Sequence, residues 1–237
     1  PQPPPLSGSD VWVWLSNMAE DDEIVLNFND SLLRKSDVDL LAGPCWINDN
    51  LIGFAFEYFE REQFNHSADR LALLSPSTTQ FIKFASGEDL AVALEPLNLP
   101  TKEYVFLPIN DNSSVTRAGG SHWSLMVFVR NKEEFRHYDS GVSSNATIAK
   151  DLMDRLQPYL HASKRGSKFV DMDCPRQKNG YDCGMYVISV AEHLCRELCE
   201  CYNVALTDVI TETTVSLKRQ QLLKMIFELA EQESLIS

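Results

Sequence analysis

Two apolar runs, residues 122–129 and 135–139, flank a short polar break at residues 130–133. Strand side chains alternate faces with a period of two, so fixing the turn between two strands fixes the face of every residue in both. With residues 130–133 as the turn, Val129 pairs with Glu134 and Ser124 with Asp139. Asp139 then shares a face with Ser124 and, two residues on, with His122. Diagonal neighbours of this kind lie about 7–8 Å apart, a gap that side chains bridge. Trp123 takes the other face, and a slip of one residue would separate His122 from Asp139. A plainer reading of Asp139-Ser140-Gly141 is a polar turn that ends the strand.

The remaining pattern alternates between helical and strand periods. Residues 104–109 and 168–172 have strand length and composition. Residues 47–59 place Leu51, Ile52, Ala55, Phe56 and Phe59 at helical spacing, with Asn48 or Asp49 at the start. Ser75-Pro76 opens a helix towards residue 84, with serine as cap and proline in the first turn. Residues 88–94, 145–160, 185–198 and 215–230 complete the helical set, and the apolar stripe of 185–198 includes Val187, Ile188, Ala191, Leu194 and Leu198. Helices flanking a small, mainly antiparallel sheet define an α+β class.

At 237 residues and 44% hydrophobic, the chain supports one sizeable core or at most two small ones. Residues 1–23 read as a partly flexible N-terminal tail, rich in proline and then acidic, and residues 24–237 as a single domain. The VWVWL segment at 11–15 is apolar enough to add a strand or pack on the body, and the last residues, 231–237, are expected to fray.

No apolar run approaches the ~18–20 residues needed to span a bilayer, and Pro1 to Pro5 is unlike a signal peptide. These features predict a soluble intracellular protein, cytoplasmic or nuclear, with no membrane partner. A net charge of −13 disfavours nucleic acid and attracts basic partners, or serves only solubility. The six cysteines lack the paired spacing of a zinc site, so no metal and no cofactor is expected, and Cys195, Cys199 and Cys201 read as reduced, mostly packed thiols.

Cys183, in the string QKNGYDCGMY, immediately precedes an apolar helix. A thiol there faces the positive end of the helix dipole, which favours the reactive thiolate. Gly184 permits close approach of backbone or substrate. A buried structural cysteine is the ordinary alternative, but the polar, turn-rich lead-in argues against it. A cysteine nucleophile needs a base and the base an orienting group. His122, after the loop Ala118-Gly119-Gly120-Ser121, is the favoured base. His66 and His161 lie in polar loops or helix ends, and His193 is expected to face outward. Gln177, six residues before Cys183, has an amide able to donate to an oxyanion beside the Cys183 backbone N–H.

The string P-x-Q-x-N-x-x-D-C-G at 175–184, with H-W-S-L at 122–125 and Y-D-S at 138–140, resembles the ubiquitin-like-protein-specific cysteine proteases. The resemblance covers roughly residues 26–230. It implies a papain-like fold and places the family's nucleophile, histidine, aspartate and oxyanion glutamine on Cys183, His122, Asp139 and Gln177. The segment WINDNLIGFAFEYF at 46–59, together with INDNS and GGSHWSL between 109 and 125, resembles the deneddylase branch, which acts on the Nedd-type modifier rather than on SUMO. The implied partners are that modifier and its conjugates, such as cullins, met by a monomer. Trp46 and Trp123 would then form a narrow tunnel over the modifier's Gly-Gly tail, with Asn48 and Asp49 near a basic residue of that tail. Core packing for the tryptophans and helix capping for Asn48 and Asp49 are the alternatives. Two other functions remain open: a SUMO-specific protease of the same family, and a module that binds a ubiquitin-like protein without cleaving it. An acyltransferase with the same triad would need a basic pocket for coenzyme A phosphates, which this acidic chain does not suggest.

Overall fold

The computed structural model describes residues 23–114, 116–141, 144–161, 166–200 and 202–235. The tail and its VWVWL segment lie outside the described residues.

At the centre is a five-stranded sheet in the order β3-β4-β5-β6-β7, built from Leu71–Leu73, Tyr104–Asn110, Trp123–Val129, Glu134–Tyr138 and Lys168–Asp171. The β4–β5 and β5–β6 pairings are antiparallel, whereas the outer pairings, β3–β4 and β6–β7, are parallel. The α+β class is as expected, and β7 falls on the strand read at residues 168–172; β3 was not separated from loop, and the parallel pairing of both edges was not foreseen. A hairpin, β1 (Ile24–Phe28) and β2 (Ser31–Arg34), stands apart as its own two-stranded sheet.

The hairpin register is the one the sequence predicts. Val129 lies opposite Glu134, and Leu125 opposite Tyr138. The 3₁₀ turn Arg130–Lys132 ends in Glu133 with φ of 51°, and it supplies the reversal. The strands stop one residue short of each site residue: β5 begins at Trp123, just after His122, and β6 ends at Tyr138, just before Asp139.

The strands carry almost unbroken apolar runs because both faces of the sheet are covered. Alternation sorts them. Phe106, Leu125, Val127 and Tyr138 enter one core, and Val105, Leu107, Met126, Phe128 and Phe135 enter the other. The first core is closed by helices α2 (Asp49–Tyr58), α6 (Cys183–Cys199) and α8 (Glu212–Ser234), with the short α1 (Lys35–Asp39) beside them. The second lies under α3 (Pro76–Phe84), α4 (Gly87–Leu94) and α5 (Ala146–Leu156). A short helix, α7 (Leu206–Val209), links α6 to α8. Burying each large apolar side chain contributes roughly 1.5–3 kcal/mol.

Three local expectations need correction. Helix α6 begins at Cys183 rather than after it, so the candidate nucleophile occupies the first helical position. His193 does not face outward: it is 5% exposed, its ring set edge-on to Tyr202 at 5.4 Å, and burial pushes its pKa down. Helix α8 continues to Ser234, so residues 231–234 remain helical instead of fraying. No helix among the described residues is long and apolar enough to cross a membrane.

Candidate active site

The hairpin delivers His122 and Asp139 side by side, and their Nε2 and Oδ1 atoms are 2.6 Å apart. Asp139 is 3% exposed. Its Oδ1 also accepts from the Gly141 N–H at 2.8 Å, and Oδ2 from the Asn145 N–H at 3.3 Å. Burial raises its pKa, but the bonds and charge of His122, with the two backbone donors, outweigh burial and hold it below the usual carboxylate value. Asp139 is therefore the acceptor that fixes the imidazole, and the polar turn and the orienting role coexist.

With Nε2 engaged by the carboxylate, Nδ1 is the nitrogen left for the Cys183 thiol, which lines the same cleft. Burial disfavours a charged ring. The bonds and charges of Asp139 and Cys183 reverse that and lift His122 from 6.5 to about 10. The His122 ring is thus held as an imidazolium at neutral pH, beside a sulfur at the positive N-terminus of α6. Cys183 is only 3% exposed; it forms part of the floor of an open cleft of about 940 Å³ rather than of the surface.

The same cleft is lined by Trp46, Asn48, Asp49, His122 and Trp123. Trp46 is 52% exposed, and its indole N–H donates to the Gly180 carbonyl at 2.5 Å, so core packing is not its role. Trp123 is half-buried against the first core. Asn48 caps α2, accepting from the Leu51 N–H at 3.2 Å, while its amide donates to Asp37. Asp49 is exposed in the first turn of α2.

Gln177 is drawn to the end of β6 by its own N–H, which donates to the Ser140 carbonyl at 3.0 Å. Its Oε1 accepts from the Ser140 hydroxyl at 2.7 Å, and its Nε2 donates to the Asn179 carbonyl at 2.8 Å. The amide is oriented, but its donor is engaged within the chain.

Four residues to which the sequence assigned no role in the chemistry complete the site. Asp111 accepts from the Ser121 N–H and hydroxyl, both at 2.6 Å, and from the His122 N–H at 3.1 Å, closing the glycine-rich loop onto the histidine. Asn145, fully buried, sends its amide to the carbonyls of Ile109 and His122. It stands just before α5, rather than within it as the helical pattern of 145–160 suggested, and its side chain makes no capping bond. Gly141 leaves room for the imidazole, since a Cβ there would lie 2.9 Å from His122 Cε1. Ser140 supports Gln177. Ser140 and Gly141 were signalled in advance only as parts of a polar turn, and Asp111 only as part of the INDNS string.

Known proteins bear on this geometry. The sequence matches the Ulp1 protease family, C-terminal catalytic domain, over residues 46–234. It is 46% identical over 212 residues to sentrin-specific protease 8 of Homo sapiens, covering 88% of this chain and 99% of that protein. It is 37% identical over 183 residues to NEDD8-specific protease 1 of Arabidopsis thaliana, covering 76% and 79%. Among solved structures, the C-terminal Ulp1 protease domain in complex with Smt3, the yeast ortholog of SUMO, aligns with a TM-score of 0.68 at 20% identity, covering 96% of this chain and 97% of that one. At that identity the likeness is one of fold. The thiol, imidazole and carboxylate brought together here therefore sit in a cysteine-protease scaffold, and the chain belongs to the Ulp1 protease family.

Proposed function

We propose that this cysteine protease cuts after the C-terminal Gly-Gly of a Nedd-type modifier, from precursors or from conjugates such as those of cullins. The observation that carries the chemistry is the His122 imidazole, held on the Asp139 carboxylate at 2.6 Å and lining one cleft together with Cys183. The modifier preference rests on relatives named for NEDD8 and for sentrin-specific protease 8.

In this mechanism the Cys183 thiolate adds to the carbonyl carbon of the terminal glycine. Gln177 turns its amide from Asn179 to the oxyanion, alongside the Cys183 N–H. The C–N bond then breaks, and the departing amine takes a proton from His122, leaving a thioester. Water attacks the thioester, giving a proton to His122; the modifier leaves as a carboxylate and the thiolate is restored. Trp46 and Trp123 flank the tail and favour residues without side chains, and Asp49 pairs with a basic residue near the tail. The reading extends to a monomer that binds no nucleic acid, consistent with the net charge of −13. A cytoplasmic or nuclear setting is supported by free thiols at Cys45, Cys174, Cys183, Cys195 and Cys199. An undamaged triad argues against a module that only binds.

Modifiers carrying a C-terminal electrophile test this directly. The Nedd-type probe should label Cys183 faster than SUMO or ubiquitin probes, and Cys183→Ala should abolish precursor cleavage while retaining modifier binding. Turnover by the alanine variant would overturn the nucleophile; faster labelling by the SUMO probe would overturn the preference.

A further inference from the structure

Arg219, on α8, is 6% exposed and lies outside the triad. Its guanidinium meets three segments at once. Nε and Nη2 reach Asp182 Oδ1 at 2.8 and 2.7 Å, Nη1 donates to the Leu40 carbonyl at 2.9 Å, and Nη2 to the Cys45 carbonyl at 2.7 Å. Asp182 is the residue before the nucleophile and Cys45 the residue before Trp46. One cation therefore joins the backbone that carries the sulfur to the backbone that carries the exposed indole.

The connection continues inward. Asp182, 5% exposed, spends its carboxylate on Arg219 and on the Asn179 amide, at 2.7 Å, and makes no capping bond to α6. Asn179 in turn holds the N–H groups of Tyr181 and Asp182 on its side-chain oxygen, and its carbonyl accepts the Gln177 amide. The Trp46 indole closes the circuit by donating to Gly180, inside this same stretch. A planar fork of five donors suits three acceptors spread around one centre; an ammonium carries the charge without that spread.

We infer that Arg219 is a positioning residue for the reaction: it sets the separation between Cys183 and Trp46 and, through Asp182 and Asn179, the aim of the Gln177 amide. It touches neither substrate nor reacting atoms. The inference rests on Cys183 being the nucleophile. The competing account is a buried ion pair that merely fastens α8 to the body.

Arg219→Lys and Asp182→Asn separate the two, assayed on modifier precursor well below their melting temperatures with folding checked by circular dichroism. Misplacement by about 1 Å can cost up to ~100-fold. We expect kcat to fall at least ~10-fold with KM within ~3-fold, iodoacetamide alkylation of Cys183 to slow in parallel, and the double variant to be no worse than the poorer single one. Folded variants with kcat within ~2-fold of the parent would overturn the inference, and if Arg219→Lys does not fold, Asp182→Asn decides by the same criterion. Turnover lost in Cys183→Ala but kept in both of these variants would reject Arg219 alone; turnover kept in Cys183→Ala would reject the nucleophile itself.

Discussion

A Cβ on Gly184 would fall 2.5 Å from Cγ1 of Ile47. The residue after the nucleophile and the residue after Trp46 are thus in direct apposition, the first turn of α6 pressed onto the approach to α2. Sequence reading assigns Gly184 to close approach by backbone or substrate; the neighbour is instead an isoleucine side chain that is 2% exposed.

Gly184→Ala should therefore destabilise the fold by about 1–3 kcal/mol through overpacking. Ile47→Val in the same chain should recover part of that loss, because it removes a methyl on the crowded side. Denaturant unfolding of the two single variants and the pair measures the coupling. Strict additivity would show that the contact is not the cause.

Asp139→Asn keeps the side-chain shape but removes the charge that holds His122. Loss of the orienting carboxylate in a triad of this type typically costs about 10²–10⁴ in kcat. Precursor-cleavage kinetics on a folded variant would check it, with KM changing far less than kcat.

The pH dependence has a defined sign. His122 is raised to about 10, so its contribution to stability is complete below the unfolded value near 6.5 and is lost as pH climbs towards 10. Asp139 is lowered, so its contribution is present above the ordinary carboxylate range and is lost as pH falls below it. Activity should hold across neutral pH and fall on the alkaline side near 10 as the imidazolium loses its proton. In Asp139→Asn that alkaline limb should move to lower pH. A rate profile from pH 5 to 10.5 reads both, and an unmoved limb would contradict the assignment to His122.

Asn145→Ala should cost about 1–3 kcal/mol, because the carbonyls of Ile109 and His122 lose a buried donor. It should also lower kcat, since the amide braces the histidine's own backbone. Thermal unfolding together with steady-state kinetics would detect both changes; a loss of stability alone would confine Asn145 to the fold.

How much of this was legible follows from the physics of each element. The hairpin was readable because period two and a short turn leave one register, and that register brought His122 to Asp139. Cys183 was readable because a polar lead-in meets an apolar stripe at a helix start. The parallel edges were not, since Leu71–Leu73 pairs with β4 through a connection whose length no local pattern marks. His193 sits on α6 at a position that the stripe leaves polar, and only the distant Tyr202 reveals that it is covered. Asn145 and Asp111 are ordinary polar residues at element ends; their partners, His122 and its neighbours, are close in space and remote in sequence. Arg219 is the extreme case, one of the cations of α8 until Leu40, Cys45 and Asp182 surround it.

That placement has a consequence for how the enzyme comes into being on the ribosome. A nascent chain reaching residue 200 already carries Cys183, His122, Asp139 and Gln177, yet lacks the guanidinium that knits residues 40–45 to residue 182. Every reactive group would have been translated while the carboxylate of Asp182 still waited for its cation. The linkage between these two backbones therefore waits for α8, the helix that carries Arg219.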